Sequence, residues 1–224
     1  MGLLLLGIAP AMIIMSYIYF KDKFEKEPVA FLAKNFILGV TFSILLTAVL
    51  GGILHRIFPI TDSKSIFQMF IKAFITVGFV EELSKYLVVR FYAQPNKEFN
   101  EPFDGIVYAV MVSMGFATLE NILYVFQYGA ETGITRAFTA VPAHATFAIL
   151  MGYFMGKAKF SKCKVQLNLT GLILATFFHG AYDFFLFIHF IPGISAGAFI
   201  SLAVGIILSN RAIKLHAENS KFKN

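Results

Sequence analysis

Charge is what this sequence has least of. Only 14% of its 224 residues are Asp, Glu, Lys or Arg, 58% are hydrophobic, and the mean hydropathy is +0.73. A water-soluble domain of this length needs a charged surface that such a chain cannot supply. Tryptophan is absent and cysteine occurs once, as Cys163 in a basic loop, so no disulfide framework exists and no oxidising compartment is implied. There is no H-E-x-x-H run, and no Ser or Cys stands beside an evident base, which argues against an acyl-enzyme route. Internal repeats, low-complexity tracts and loops long enough to form a soluble domain are also missing. The short alternating segments of a β-barrel do not occur either.

What the chain has instead is long apolar runs. They predict an all-α, polytopic membrane helix bundle of about seven transmembrane helices. The spans fall near 2–20, 35–55, 67–92, 104–128, 137–156, 167–190 and 192–210, each close to the ~20 residues that cross a bilayer core. Residues 1–224 read as a single domain with a tail over about 211–224. The first run lacks a basic start and is followed by Lys21-Asp-Lys23, so a retained span is expected rather than a cleaved signal peptide.

The formal net charge of +6 resides in short loops. Lys21, Lys23, Lys26 and Lys34 follow the first span, Arg90 and Lys97 the third, and Lys157, Lys159, Lys162 and Lys164 the fifth. The opposite loops hold little more than Arg56, Lys64 and Arg136. The positive-inside rule then puts the amino terminus outside and the carboxyl terminus in the cytoplasm of a cell-membrane protein. Its surroundings are the lipid bilayer, and nucleic acid is not an expected partner.

Against this background the segment Phe79-Val-Glu81-Glu82-Leu-Ser-Lys85 stands out, because it places three charges inside an apolar run. A charge near a bilayer centre costs roughly 2.5–3.5 kcal/mol on insertion scales, so such groups face a bundle interior. Span four adds Glu120-Asn121, span five His144, and span six His179 and Asp183. Any one of them has a bland explanation as a hydrogen-bonded core residue. Together, on four consecutive spans, they point to a shared polar site.

Spacing supports that reading. His179 and Asp183 lie four apart on one helix face, so the carboxylate can orient the imidazole. Glu81 and Lys85 have the same separation, with Glu82 turned about 100° away. One glutamate is therefore expected to be braced by lysine while the other stays free, and spacing does not say which. A buried carboxylate can take a proton from water and pass it to a leaving amine. An imidazole or the amide of Asn121 can steady the oxyanion. Metal-free catalysis is expected first; the alternative is a Zn²⁺ site drawn from Glu82, Glu120, His144 and His179.

At these residues the chain resembles the PrsW family of intramembrane proteases, related to the CAAX prenyl protease and bacteriocin-processing superfamily. The likeness runs from Gly7-Ile-Ala-Pro10 and Glu27-Pro28, through the Glu81-Glu82 segment and Phe103-Asp-Gly-Ile-Val-Tyr108, to Gly115–Tyr124, His144–Lys159 and His179–Phe184. The superfamily's paired glutamates would be Glu81 and Glu82, and its His-x-x-x-Asn/Asp motif His179 to Asp183. Its Phe-x-x-x-His motif departs here to Phe116-x-x-x-Glu120, and His144 would restore the imidazole. The resemblance implies a protease that cuts a single-span anti-sigma factor at site 1 and so starts release of an extracytoplasmic-function sigma factor.

The expected catalytic set is Glu81, Glu82, Glu120, His144, His179 and Asp183, with Asn121 and Lys85 in support. A proton- or metal-ion-coupled transporter would need the same buried groups, as its sites too lie near the midplane. A helix bundle that merely binds single-span proteins is the third reading.

Overall fold

In hydrocarbon a backbone has no water to bond, so apolar runs close their hydrogen bonds internally as helices. The computed structural model describes residues 2–223, and among these no strand occurs. Helix α1 is Gly2–Lys21 and α2 is Val29–Ile57, the latter widened by a π-helical turn at Gly39–Ser43. Helix α3 covers 66–93, with π-helical turns at Lys72–Phe79 and Val89–Ala93. There follow α4 (Pro102–Tyr128), the short α5 (Ala130–Phe138), α6 (Ala140–Lys159), α7 (Lys164–Phe187) and α8 (Ala196–Glu218).

Among the described residues, six segments are long and apolar enough to cross a membrane, α5 and α6 counting as one. The seventh, α3, fails that test of composition because it carries Lys72, Glu81, Glu82, Lys85 and Arg90. Three boundaries differ most from the sequence expectation, the first being that α2 begins at Val29 rather than near 35. The fifth span is broken at Thr139 (φ −126°, ψ −77°), which turns α5 off the axis of α6. The last helix runs on to Glu218, past the expected end near 210, so most of the basic tail is helical.

Helix α4 is the axle of the bundle. It starts at a capping box between Glu101 and Asp104, with Pro102 in the first turn where a missing N–H costs nothing. Most of its length is buried, and it packs face to face with α6. Glycine makes that approach possible: a Cβ on Gly105 would stand 2.4 Å from the Gly152 carbonyl oxygen, and one on Gly156 only 2.0 Å from that of Pro102. Lipid tails are as apolar as the side chains, so such backbone-close packing is what drives association here. Side chains such as Ile13, Phe138 and Ile173 point outward, as lipid-facing residues do.

A second close approach positions the polar residues. A Cβ on Gly78 of α3 would lie 3.1 Å from the Gly180 backbone nitrogen of α7. Glu82 is one turn beyond Gly78, and His179 adjoins Gly180. The two helices therefore meet backbone to backbone just where their ionisable side chains must meet.

Candidate catalytic site within the bundle

Helices α3, α4, α6 and α7 each contribute ionisable groups to one buried network. Glu82 is fully enclosed, and its Oε1 accepts from Lys85 Nζ at 2.8 Å and from His179 Nδ1 at 2.9 Å. Lys85 is equally enclosed; its ammonium also reaches Glu81 Oε2 at 3.4 Å and His144 Nδ1 at 3.2 Å, and lies 4.2 Å from the centre of the Phe116 ring. On the other side of His144, Nε2 meets Glu120 Oε2 at 2.9 Å. Arg136 of α5 holds the same Glu120 oxygen at 2.9 Å through Nη2.

These contacts fix both imidazoles. Glu120 is ion-paired with Arg136 and acts as an acceptor, so His144 Nε2 donates to it. That leaves the Nδ1 lone pair of His144 turned toward Lys85. His179 donates Nδ1–H to Glu82, which turns its Nε2 toward Asp183 Oδ2 at 3.5 Å and Glu81 Oε2 at 3.9 Å. The Phe147 ring stacks on His179 with centroids 4.9 Å apart. Each histidine is thus oriented by a glutamate on a different helix.

The network opens into a cavity of about 480 Å³. Its polar lining includes Glu81, Glu120, Arg136, His144, His179 and Asp183, and Tyr182, Phe147 and Leu186 supply apolar wall. Lys72, Thr139 and Phe187 extend it toward the end of the bundle opposite the basic loops. Neither Glu82 nor Lys85 lines it.

The structure refines three sequence expectations. Lys85 touches both glutamates, and the shorter contact goes to Glu82 rather than Glu81 at the expected four-residue spacing. Glu82 is therefore the braced carboxylate and Glu81 the one that reaches the cavity. Asp183 was expected to orient His179, yet the closer partner is Glu82. Asn121 does not line the cavity: its Nδ2 donates to the carbonyls of Leu6 and Gly7, and its Oδ1 accepts from Arg136 Nε. It ties α1 to α4 and is too far committed to serve as an oxyanion donor.

Two contributors were not in the expected set. Arg136 had a visible signal, being one of the few basic residues on the sparse side of the chain. Phe147 had none, since an apolar residue in an apolar span is unremarked.

A metal ion fits these donors once the Nδ1 lone pair of His144 is released from Lys85 Nζ, which lies 3.2 Å away. Glu81, His144 and His179 are buried and each offers a ligand atom, all within 4.8 Å of one another. One carboxylate and two imidazoles are a usual three-ligand set for a catalytic zinc with an open fourth position. The glutamates opposite the two imidazoles are the outer partners that such ligands need. The expected ligand set named Glu82 and Glu120; the geometry gives those two the outer places and puts Glu81 inside.

A family profile described as "PrsW family intramembrane metalloprotease" matches residues 27–209. Protease PrsW of Geobacillus kaustophilus (strain HTA426) is 40% identical over 181 residues, covering 80% of this chain and 77% of that protein. Protease PrsW of Bacillus subtilis (strain 168) is 36% identical over 189 residues, covering 80% of each. For Protease PrsW of Clostridioides difficile (strain 630) the figures are 34% over 197 residues, 85% and 81%. No solved structure matches the chain.

Proposed function

Since the chain belongs to the PrsW family and is an intramembrane protease, we propose that Glu81, His144 and His179 form its hydrolytic metal centre at the inner end of the cavity. The observation that carries this reading is the meeting of those three side chains, from three helices, within 4.8 Å. Zn²⁺ held there would lower the pKa of a bound water and polarise the scissile carbonyl.

The chain's own groups do the rest. Glu120, paired with Arg136, holds His144, while Glu82, braced by Lys85, holds His179, so each ring is already oriented before reaction. Asp183 faces the cavity beside His179 and is the carboxylate placed to take the proton from water and return it to the leaving amine. Phe147, Tyr182 and Leu186 give an unwound substrate segment an apolar bed, as a peptide in hydrocarbon must be sheltered by protein where its backbone bonds are open.

The substrate is a single-span membrane protein, and the family resemblance points to an anti-sigma factor cut at site 1. Residues 1–224 act as one protease domain. The concentration of Lys and Arg in one set of loops supports an amino terminus outside the cell membrane and a carboxyl terminus in the cytoplasm. The cavity, extending away from those loops, would then receive substrate and water from the outer side.

Reconstitution in liposomes with a single-span substrate tests this. Wild type should cleave, and His179→Ala should not. Cleavage by neither protein would sink the reading, and ion uptake lost in His179→Ala would favour the transporter instead.

A further inference from the structure

A second group of acids lies at the basic end of the bundle, remote from the cavity lining. Here the α1–α2 turn (residues 22–28) meets the start of α4. Asp22, Glu27, Glu101 and Asp104 are each at most 2% exposed. Some of their oxygens are satisfied. Asp104 Oδ2 accepts from the backbone N–H of Glu101 at 2.8 Å, Glu101 accepts from the Ser220 hydroxyl, and Glu25 Oε1 accepts from Asn100 Nδ2 at 2.8 Å.

Five oxygens in this one place are not. Asp22 Oδ2, Glu25 Oε2, Glu27 Oε2, Asn100 Oδ1 and Asp104 Oδ1 are buried with no donor among the described residues. Lys26, Lys159 and Lys221 lie near the group, but among the described residues no ammonium hydrogen-bonds its carboxylates: Lys26 Nζ donates to the carbonyls of Tyr19 and Asp22, and Lys159 Nζ to that of Asn96 at 2.7 Å. Burial, then the Asp104 carboxyl within hydrogen-bonding reach, push Glu27 up to about 10. Burial and Glu101 likewise push Asp22 up to about 7. Buried oxygens without partners are costly, and several converging carboxylates are costlier still. Something positive is called for.

The donors are all oxygen, with no imidazole or thiolate among them, which selects a hard cation over zinc. Their acids are not gathered as tightly as Glu81, His144 and His179, the one group of three within 4.8 Å among the described residues. An ion there would take one or two carboxylates directly together with the Asn100 amide oxygen beside them, a mixed carboxylate and carbonyl set of the kind Ca²⁺ accepts.

We propose that Glu27 and Asp104, supported by Asp22, Glu25 and Asn100, bind a divalent cation that clamps the α1–α2 turn to the start of α4.

Mn²⁺ is the probe, titrated into the purified full-length chain in nanodiscs and followed by electron paramagnetic resonance. One Mn²⁺ per chain should bind, be displaced by Mg²⁺ or Ca²⁺, and persist in His179→Ala. Glu27→Gln and Asp104→Asn should each weaken it by more than roughly tenfold. If either variant fails to fold, Asp22→Asn on the turn should show the same direction of loss. No stoichiometric Mn²⁺ in wild type, or binding undiminished by Glu27→Gln, would overturn the proposal. So would an infrared band of a protonated carboxyl group, absent in Glu27→Gln, that persists at saturating Mn²⁺, since the pair would then be holding a proton instead.

Discussion

Glu81→Gln is expected to lower turnover of a single-span substrate by more than roughly 10²-fold, because losing a direct donor of the proposed metal centre should exceed the 10–100-fold typical of losing an outer partner. Of the adjacent glutamates, Glu81 alone lines the cavity, and it is one of the three donors that gather there. Glutamine keeps the size of the side chain but loses the charge that would hold a metal ion. The fold should survive, because the shorter contact of Lys85 is with Glu82. Cleavage by reconstituted Glu81→Gln at the wild-type rate would remove Glu81 from the reaction.

The largest effect on stability should come from Lys85→Met. The Lys85 ammonium is enclosed among Glu81, Glu82 and His144, and Glu82 has no route to solvent. Breaking a buried pair by removing one partner costs roughly 3–5 kcal/mol, because the remaining charge is left uncompensated. A thermal or denaturant melt of Lys85→Met in mild detergent should show a loss of that order. Adding Glu82→Gln should recover part of it, since the stranded charge goes as well. A single variant as stable as wild type would mean that the network is better hydrated than its enclosure indicates.

The membrane bundle could be read from the sequence because hydropathy depends on composition over ~20 residues and tolerates errors of a few positions. The helix bearing Glu81, Glu82 and Lys85 was also legible, despite its charges, because three ionisable residues in an apolar run are expensive anywhere but an interior. The pairings within the site were not. Glu82 and His179 are 97 positions apart, and their contact depends on Gly78 and Gly180 letting α3 and α7 touch. The π-helical turn at Lys72–Phe79 immediately precedes the glutamates. A wider turn changes the direction in which every later side chain points, and such turns are frequent at functional sites. An ideal-helix reading from Glu81 to Lys85 recovers their neighbourhood but not which carboxylate faces the cavity.

Asn121 teaches a related lesson. Beside Glu120 in sequence, it was a reasonable oxyanion donor. Helix geometry turns adjacent residues about 100° apart, so Glu120 reaches the cavity while Asn121 bonds to α1. Arg136, on the short α5, then links the two residues from outside.

Zinc content of the purified chain, measured by inductively coupled plasma mass spectrometry alongside His144→Ala and His179→Ala, tests the proposed centre most directly. Near one Zn²⁺ per wild-type chain, and almost none in either variant, is the expected result. A fully active wild-type preparation free of metal would contradict it.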